Sequence, residues 1–160
     1  MTIHIQRPIR GNSRRRRGAA LVEAAFILPI LLLFIMGLME YGRYFLMMHV
    51  CNNAVSAGAA YACKHTAAIV IGGTTYGNAN SDVTNAVNSC LGTQQLASPT
   101  VSVFLSDSVG NNLGTWTNAG VGQYVCVQLT GTYTFVPTSF LGLPSTSTKT
   151  FTCVRRSEGN

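Results

Sequence analysis

The stretch "RRRRGAALVEAAFILPILLLFIMGLMEYGR", Arg14 to Arg43, decides the fold. Four consecutive arginines meet Gly18, and from Ala19 to Met39 every residue is apolar or glycine except Glu23. That run is close to the ~20 residues a helix needs to span the hydrocarbon of a bilayer. The arginines before it, and the near absence of Lys and Arg just after it, orient the segment with its N-terminus in the cytoplasm. Pro29 lies inside the run, where it removes one N–H bond and crowds the carbonyl of Ala25, so a kink is expected. Glu23 is the anomaly: a charge at the bilayer centre costs about 2.5–3.5 kcal/mol by insertion scales.

Composition agrees with a membrane segment. Of the 160 residues only 10% are charged, against the ~25% usual in soluble domains, and 47% are hydrophobic. The net charge of +6 would point to nucleic acid if it were spread over a face. It is not. Arg7, Arg10 and Arg14 to Arg17 carry the excess, whereas Arg43, Lys64, Lys149, Arg155 and Arg156 are matched by Glu23, Glu40, Asp82, Asp107 and Glu158. A basic run that abuts an apolar helix without a linker reads as a topology signal, and no nucleic-acid partner is expected.

The helical pattern continues past the apolar run. Tyr44, Met47, Met48, Cys51, Ala54, Val55 and Gly58 or Ala59 recur at the steps of an amphipathic helix, and Gly72-Gly73 are expected to stop it. One helix from about Ala19 to about Ile69 would be on the order of 75 Å long. Ser81 is a plausible N-cap, with Asp82 in the first turn of a short helix that Gly92 ends. From Pro99 the period changes to two. "TVSVFLSD", "QYVCVQLTGTYTFV" and "KTFTCVRR" read as strands, "PTSFLGLPSTST" as a loop, and Trp116 as the cap of a small hairpin. The expected fold is α+β: a long N-terminal transmembrane helix extending into a small head with a short helix and an antiparallel β-sheet. Its parts are residues 1–18 as a basic cytoplasmic leader, 19–39 as the transmembrane helix, 40–71 as a spine outside the membrane, and 72–160 as an extracytoplasmic head.

A secretory signal peptide would require small residues in an A-x-A pattern soon after a short apolar core. "GLMEYGR" follows instead, and small residues return only at "AVSAGAAYA". The segment resembles a type IV prepilin, in which a membrane-embedded prepilin peptidase cuts after a glycine between a basic leader and the apolar helix. The resemblance implies that Gly18 precedes the cut, that Ala19 becomes the new N-terminus, and that Glu23 becomes residue five of the mature chain. Glu23 can then meet the new α-ammonium of Ala19, on its own chain or a neighbour's, which offsets much of the desolvation of either charge. The intermolecular version would set the register between subunits. A plain signal anchor accounts for the topology but for neither Gly18 nor Glu23.

Beyond Glu23, "VEAAFILPILLLFIMGLMEYGR" resembles the N-terminal signature of the TadE-like family, pilin-like proteins of tight-adherence (Flp-type) pilus systems. Glu23, Pro29, Gly37, Glu40, Tyr41, Gly42 and Arg43 fall in the family's order, while Ala24 departs from the aromatic often found there. "NNAVSAGAAYA" lacks the arginines common at that place. The resemblance implies a minor pilin or pseudopilin of a bacterial inner membrane, single-pass, cut by a dedicated prepilin peptidase. Its partners would be other pilin-like subunits and the pilus assembly platform. The other reading is an uncleaved, signal-anchored envelope protein whose outer head binds something.

The remaining motifs are weaker. Glu40 and Arg43 can pair at i, i+3, a contact worth about 0.2–0.5 kcal/mol, and read as a solvated interface pair flanked by anchoring Tyr41 and Tyr44. His49-x-Cys51 and Cys63-x-His65 are three turns apart on one helix and cannot converge on a metal. All the cysteines lie after the apolar run, which fits an oxidising compartment, and their count of 5 is odd. Cys126 with Cys153, in two apparent strands, and Cys63 with Cys90 are the candidate disulfides, leaving Cys51 as a buried thiol; spacing leaves the connectivity open. No phosphate loop or catalytic constellation is recognisable, so neither an enzyme nor a cofactor is expected.

Overall fold

A computed structural model describes residues 13–67, 69–71, 74–77, 79–92, 96–117, 119–136 and 145–158. Residues 1–12, the Gly72-Gly73 pair and most of the "PTSFLGLPSTST" stretch lie outside them. The chain divides into two compact units, Met1–Met39 and Glu40–Asn160.

Helix α1, Ser13–Lys64, is unbroken through Pro29. It starts five residues before Gly18, so the arginine run is helical. In the first unit every residue from Gly18 to Met39 is exposed, among them Leu21, Phe26, Ile30, Phe34 and Leu38. Leucine, isoleucine and phenylalanine exposed on all sides of a helix need an apolar surrounding. Among the described residues this is the helix long and apolar enough to cross a membrane.

In the second unit α1 turns amphipathic. Met47, Cys51, Ala54, Val55, Ala59, Ala62 and Cys63 are buried, the stripe that the periodicity of the sequence predicts. The helix stops at Lys64, earlier than the glycine pair would have stopped it. Two strands follow, β1 (Ile69–Ile71) and β2 (Thr74–Tyr76), paired antiparallel with Ile71 opposite Thr74. The β-branched run Ile69-Val70-Ile71 favours a strand over further helix.

Helix α2, Asn80–Leu91, ends at Gly92, whose φ of 58° glycine adopts without strain and whose N–H bonds the Asn88 carbonyl at 3.2 Å. Its N-cap is Ala79 rather than Ser81 and makes no side-chain cap bond. The Asn80 side chain is engaged elsewhere: the Trp116 indole N–H donates to its Oδ1 at 2.6 Å. Trp116 is therefore a buried bridge between α2 and the loop after the second sheet hairpin.

Strands β3 (Leu96–Ser106), β4 (Asn112–Gly114), β5 (Tyr124–Thr134) and β6 (Thr146–Arg156) form an antiparallel sheet in the order β4-β3-β5-β6. β3 begins three residues before Pro99, and the register against β5 slips between Ala97 and Thr100. Proline cannot donate to the ladder, so the strand accommodates it with a bulge, with Ser98 at φ 51°. Val125, Val127, Leu129 and Tyr133 of β5 face the core together with Phe151 of β6. Val83, Val87 and Leu91 of α2 close the same core.

Close approach of α1 to α2 sets this packing. A Cβ on buried Gly58 would run into Val87 Cγ2 and would touch Val127 Cγ1 at 3.5 Å and Val83 Cγ1 at 3.6 Å. The fold is thus α+β, a long apolar N-terminal helix followed by a short helix and a four-stranded antiparallel sheet.

The expected disulfides are absent: all five cysteines are free thiols. Cys126 and Cys153 do lie on neighbouring strands, but Cys126 pairs with Val154 and Cys153 with Val127. One register step puts their side chains on opposite faces of the sheet. Cys90 is exposed on α2, away from the Val83-Val87-Leu91 face, while Cys63 is buried, so these two do not meet either. Burial pushes the thiols of Cys51 and Cys126 up, and that of Cys63 up to about 11, the nearby Arg155 opposing the shift.

Candidate functional site

Two places on α1 carry the residues singled out in the sequence. The first is the start of the apolar run. Gly18, Ala19 and Glu23 are helical and exposed, and among the described residues Glu23 has neither an ion pair nor a hydrogen bond. A Cβ on Gly18 would meet nothing within 4 Å. Packing among the described residues therefore gives no reason for glycine there, although glycine costs a helix about 1 kcal/mol relative to alanine. Gly37 and Gly42 have the same open surroundings.

The second place is the junction of α1 with the end of β5. Glu40 and Arg43 lie one turn apart, with Nη2 of Arg43 3.3 Å from Glu40 Oε1. The pair is more than a solvated interface contact. The Tyr133 hydroxyl donates to Glu40 Oε1 at 2.8 Å, and Arg43 Nε donates to the same hydroxyl at 3.2 Å. Arg43 Nη2 also donates to the Thr134 carbonyl at 3.0 Å, and the guanidinium lies 5.5 Å from the centre of the Tyr133 ring. Glu40 is 13% exposed at its side chain and Tyr133 is 1% exposed, so much of this network is shielded from water. Its bonds are charge-assisted, the stronger class.

The electrostatics follow the contacts. The hydrogen bond to Tyr133 raises the Arg43 guanidinium above its ordinary value, burial opposing it and the Glu40 carboxylate adding to it. Burial raises the Tyr133 phenol. Both shifts favour the state the hydrogen bonds use, a charged guanidinium beside a neutral phenol that donates to Glu40. An aromatic cluster extends it. Tyr44 meets Tyr133 edge-on at 5.4 Å and Phe135 at 5.8 Å, and Lys149 Nζ sits 5.7 Å from the Tyr44 ring centre. Tyr44 is thus half-buried against the sheet, whereas Tyr41 is exposed and stacks on Phe45.

Nothing in the local sequence marks Tyr133 as the partner of a pair 90 residues earlier. The alternating run around it reads only as a strand. His49 and His65 serve packing: His49 meets Phe45 edge-on at 4.5 Å, and His65 stacks on Tyr61 with its Nδ1–H donating to the Tyr61 carbonyl at 2.9 Å. Among the described residues no group of three or more His, Cys, Asp or Glu gathers in a metal-binding arrangement.

The family model for TadE-like protein matches residues 18–60, from Gly18 through the buried stripe of α1. Residues 18–60 are TadE-like. No curated protein and no solved structure matches the chain. The TadE-like segment ends well before the sheet, yet its Glu40 and Arg43 close on Tyr133 and Thr134. Two residues of the segment thus tie the helix to a part of the chain outside the match.

The junction carries a measurable coupling. Tyr133→Phe is expected to destabilise the folded head by about 1–2 kcal/mol, since it leaves charged partners short of one hydrogen bond. In a double-mutant cycle with Glu40→Gln the two losses should fall short of additivity by about 1 kcal/mol. Denaturant unfolding of the full chain in detergent micelles measures this. Strictly additive losses would return Glu40 and Arg43 to the status of a solvated surface pair.

Proposed function

We propose that the chain is a pilin-like subunit of a tight-adherence (Flp-type) pilus, cut after Gly18 by a prepilin peptidase. Residues 1–18 would be its cytoplasmic leader and 19–39 its inner-membrane helix. The observation that carries the reading is the combination of Gly18 and Glu23 in a TadE-like segment. Neither residue has a role within the described fold: the glycine has open space around it and the carboxylate has no partner. Both acquire one if Gly18 enters a protease and Glu23 later meets the α-ammonium of Ala19.

The arginines would hold the leader in the cytoplasm, where the cut is made, and the head of residues 72–160 would lie outside. The apolar helix would retain the subunit in the membrane until it joins neighbouring pilin-like subunits. Gly37 and Gly42, unexplained by packing among the described residues, suit close approach of other helices in that assembly. Pro29 would kink the segment between them and the N-terminus. The role is structural; no residue is assigned to catalysis.

Co-expression with and without a prepilin peptidase, followed by intact mass and N-terminal sequencing of the membrane form, tests the reading. The expected product begins at Ala19, and Gly18→Val should retain the leader. An N-terminus unaltered by the peptidase would favour the anchored envelope protein instead.

A further inference from the structure

Strand β6 is one of the two outer strands of the sheet, β4 being the other. It pairs with β5 along its whole length on one side, and among the described residues no strand pairs its other side. An open edge presents a row of unpaired backbone N–H and C=O groups, and proteins usually blunt one by shortness, proline, a bulge or charged side chains. Of these β6 has only the charges, which repel another basic edge but would attract an acidic one. It is as long as β5 at 11 residues, contains no proline, and its register with β5 runs without a shift.

What β6 does carry is positive charge. Lys149 is half-buried, and Arg155 and Arg156 are exposed. Their described contacts are with neutral groups. Arg155 donates to Ser56 Oγ at 3.1 Å, Arg156 donates to the Gly122 carbonyl at 3.2 Å, and Lys149 lies over the Tyr44 ring. None has a carboxylate within ion-pair distance among the described residues, including exposed Glu158 just past the strand. From Lys149 to Arg156 the charges are strung over about 23 Å of strand, at ~3.3 Å per residue. Lys149 and Arg155 fall on one face and Arg156 on the other.

We propose that β6 is a docking edge for an extended, acid-bearing segment of a different protein chain, which adds to the sheet as a fifth strand. Backbone bonds to the open edge would supply affinity, and carboxylates opposite Lys149, Arg155 and Arg156 would supply selectivity. A second copy of this chain is a poor occupant, because β6 against β6 sets cations against cations. Nor does the head offer an acidic strand of its own: Glu40 and Asp82 are on helices, Asp107 is in a turn and Glu158 follows β6. A single phosphate or lipid headgroup would not cover a line of charge this long. The proposal goes beyond the pilin-like reading and rests on the sheet alone, so it stands or falls independently of cleavage at Gly18.

Hydrogen exchange of the full chain in detergent micelles, read on the backbone amides of 146–156, tests it. The probe is a synthetic peptide of alternating Thr and Glu, with an alternating Thr and Lys peptide as its counterpart. The Glu peptide is expected to slow exchange along β6 by about tenfold, and to do so less as salt screens the charges. Lys149→Glu with Arg155→Glu and Arg156→Glu should abolish that protection and admit the Lys peptide. If the triple reversal does not fold, Arg155→Gln with Arg156→Gln should weaken protection in a chain that retains its circular dichroism. The proposal is overturned by absence of protection, by equal protection from both peptides, or by protection that survives the substitutions. Self-association through β6, or protection by phosphatidylglycerol vesicles in place of the Glu peptide, overturns it too.

Discussion

Glu23→Ala is expected to leave cleavage after Gly18 intact and to remove the chain from assembled pilus material. In the proposed processing the peptidase would read the junction of leader and helix, which the substitution does not touch. Cleavage there would leave a positive α-ammonium on Ala19, at the edge of an apolar helix with no other acid than Glu23 in the run from Ala19 to Met39. Taking one partner from a desolvated ion pair costs about 3–5 kcal/mol, because the remaining charge is left uncompensated. At ~1.4 kcal/mol per factor of ten, that is a loss of roughly a hundredfold or more in association. Shearing and pelleting of surface material, with immunoblotting of the pellet against the membrane fraction, reads the effect directly. Wild-type levels of cleaved Glu23→Ala in the pellet would remove the registry role while leaving the cleavage reading untouched.

Gly58→Ala should destabilise the head, against what helix propensity alone predicts. In an exposed helix the same change would stabilise by about 1 kcal/mol. Here the added Cβ collides with Val87 Cγ2, and Val83 and Val127 close the adjacent directions. Valine is stiff at χ1 and sits in a helix itself, so it cannot turn aside cheaply. Overpacking of this kind costs about 1–3 kcal/mol, enough to lower Tm by several degrees. Val87→Ala should restore part of that loss when the two are combined, although alone it opens a cavity. Thermal unfolding in detergent micelles gives the sign, and a raised Tm for Gly58→Ala would show that α1 and α2 do not approach as closely as described.

Much of the architecture follows from local rules. The buried stripe of Met47, Cys51, Ala54, Val55 and Ala59 matches the helical period, and the alternating runs became β3, β5 and β6. Boundaries were less legible where two local preferences compete. Gly72-Gly73 looked like the stop for α1, but the β-branched run before them claims a strand, and the helix ends at Lys64. Ser81 looked like an N-cap, but Asn80 starts α2 and its side chain is held by Trp116, 36 residues away.

The sequence by itself determined the long apolar helix, the change to an amphipathic spine and the Gly18–Glu23 spacing, because each depends on neighbours a few residues apart. Only the tertiary structure decided the thiols, the junction and the open edge. Cys126 and Cys153 are kept apart by a single register step, Glu40 and Arg43 are completed by a tyrosine at the far end of another strand, and β6 is an edge because of strand order. Register and strand order come from the burial of whole faces of a sheet, a choice that no short stretch of chain makes alone.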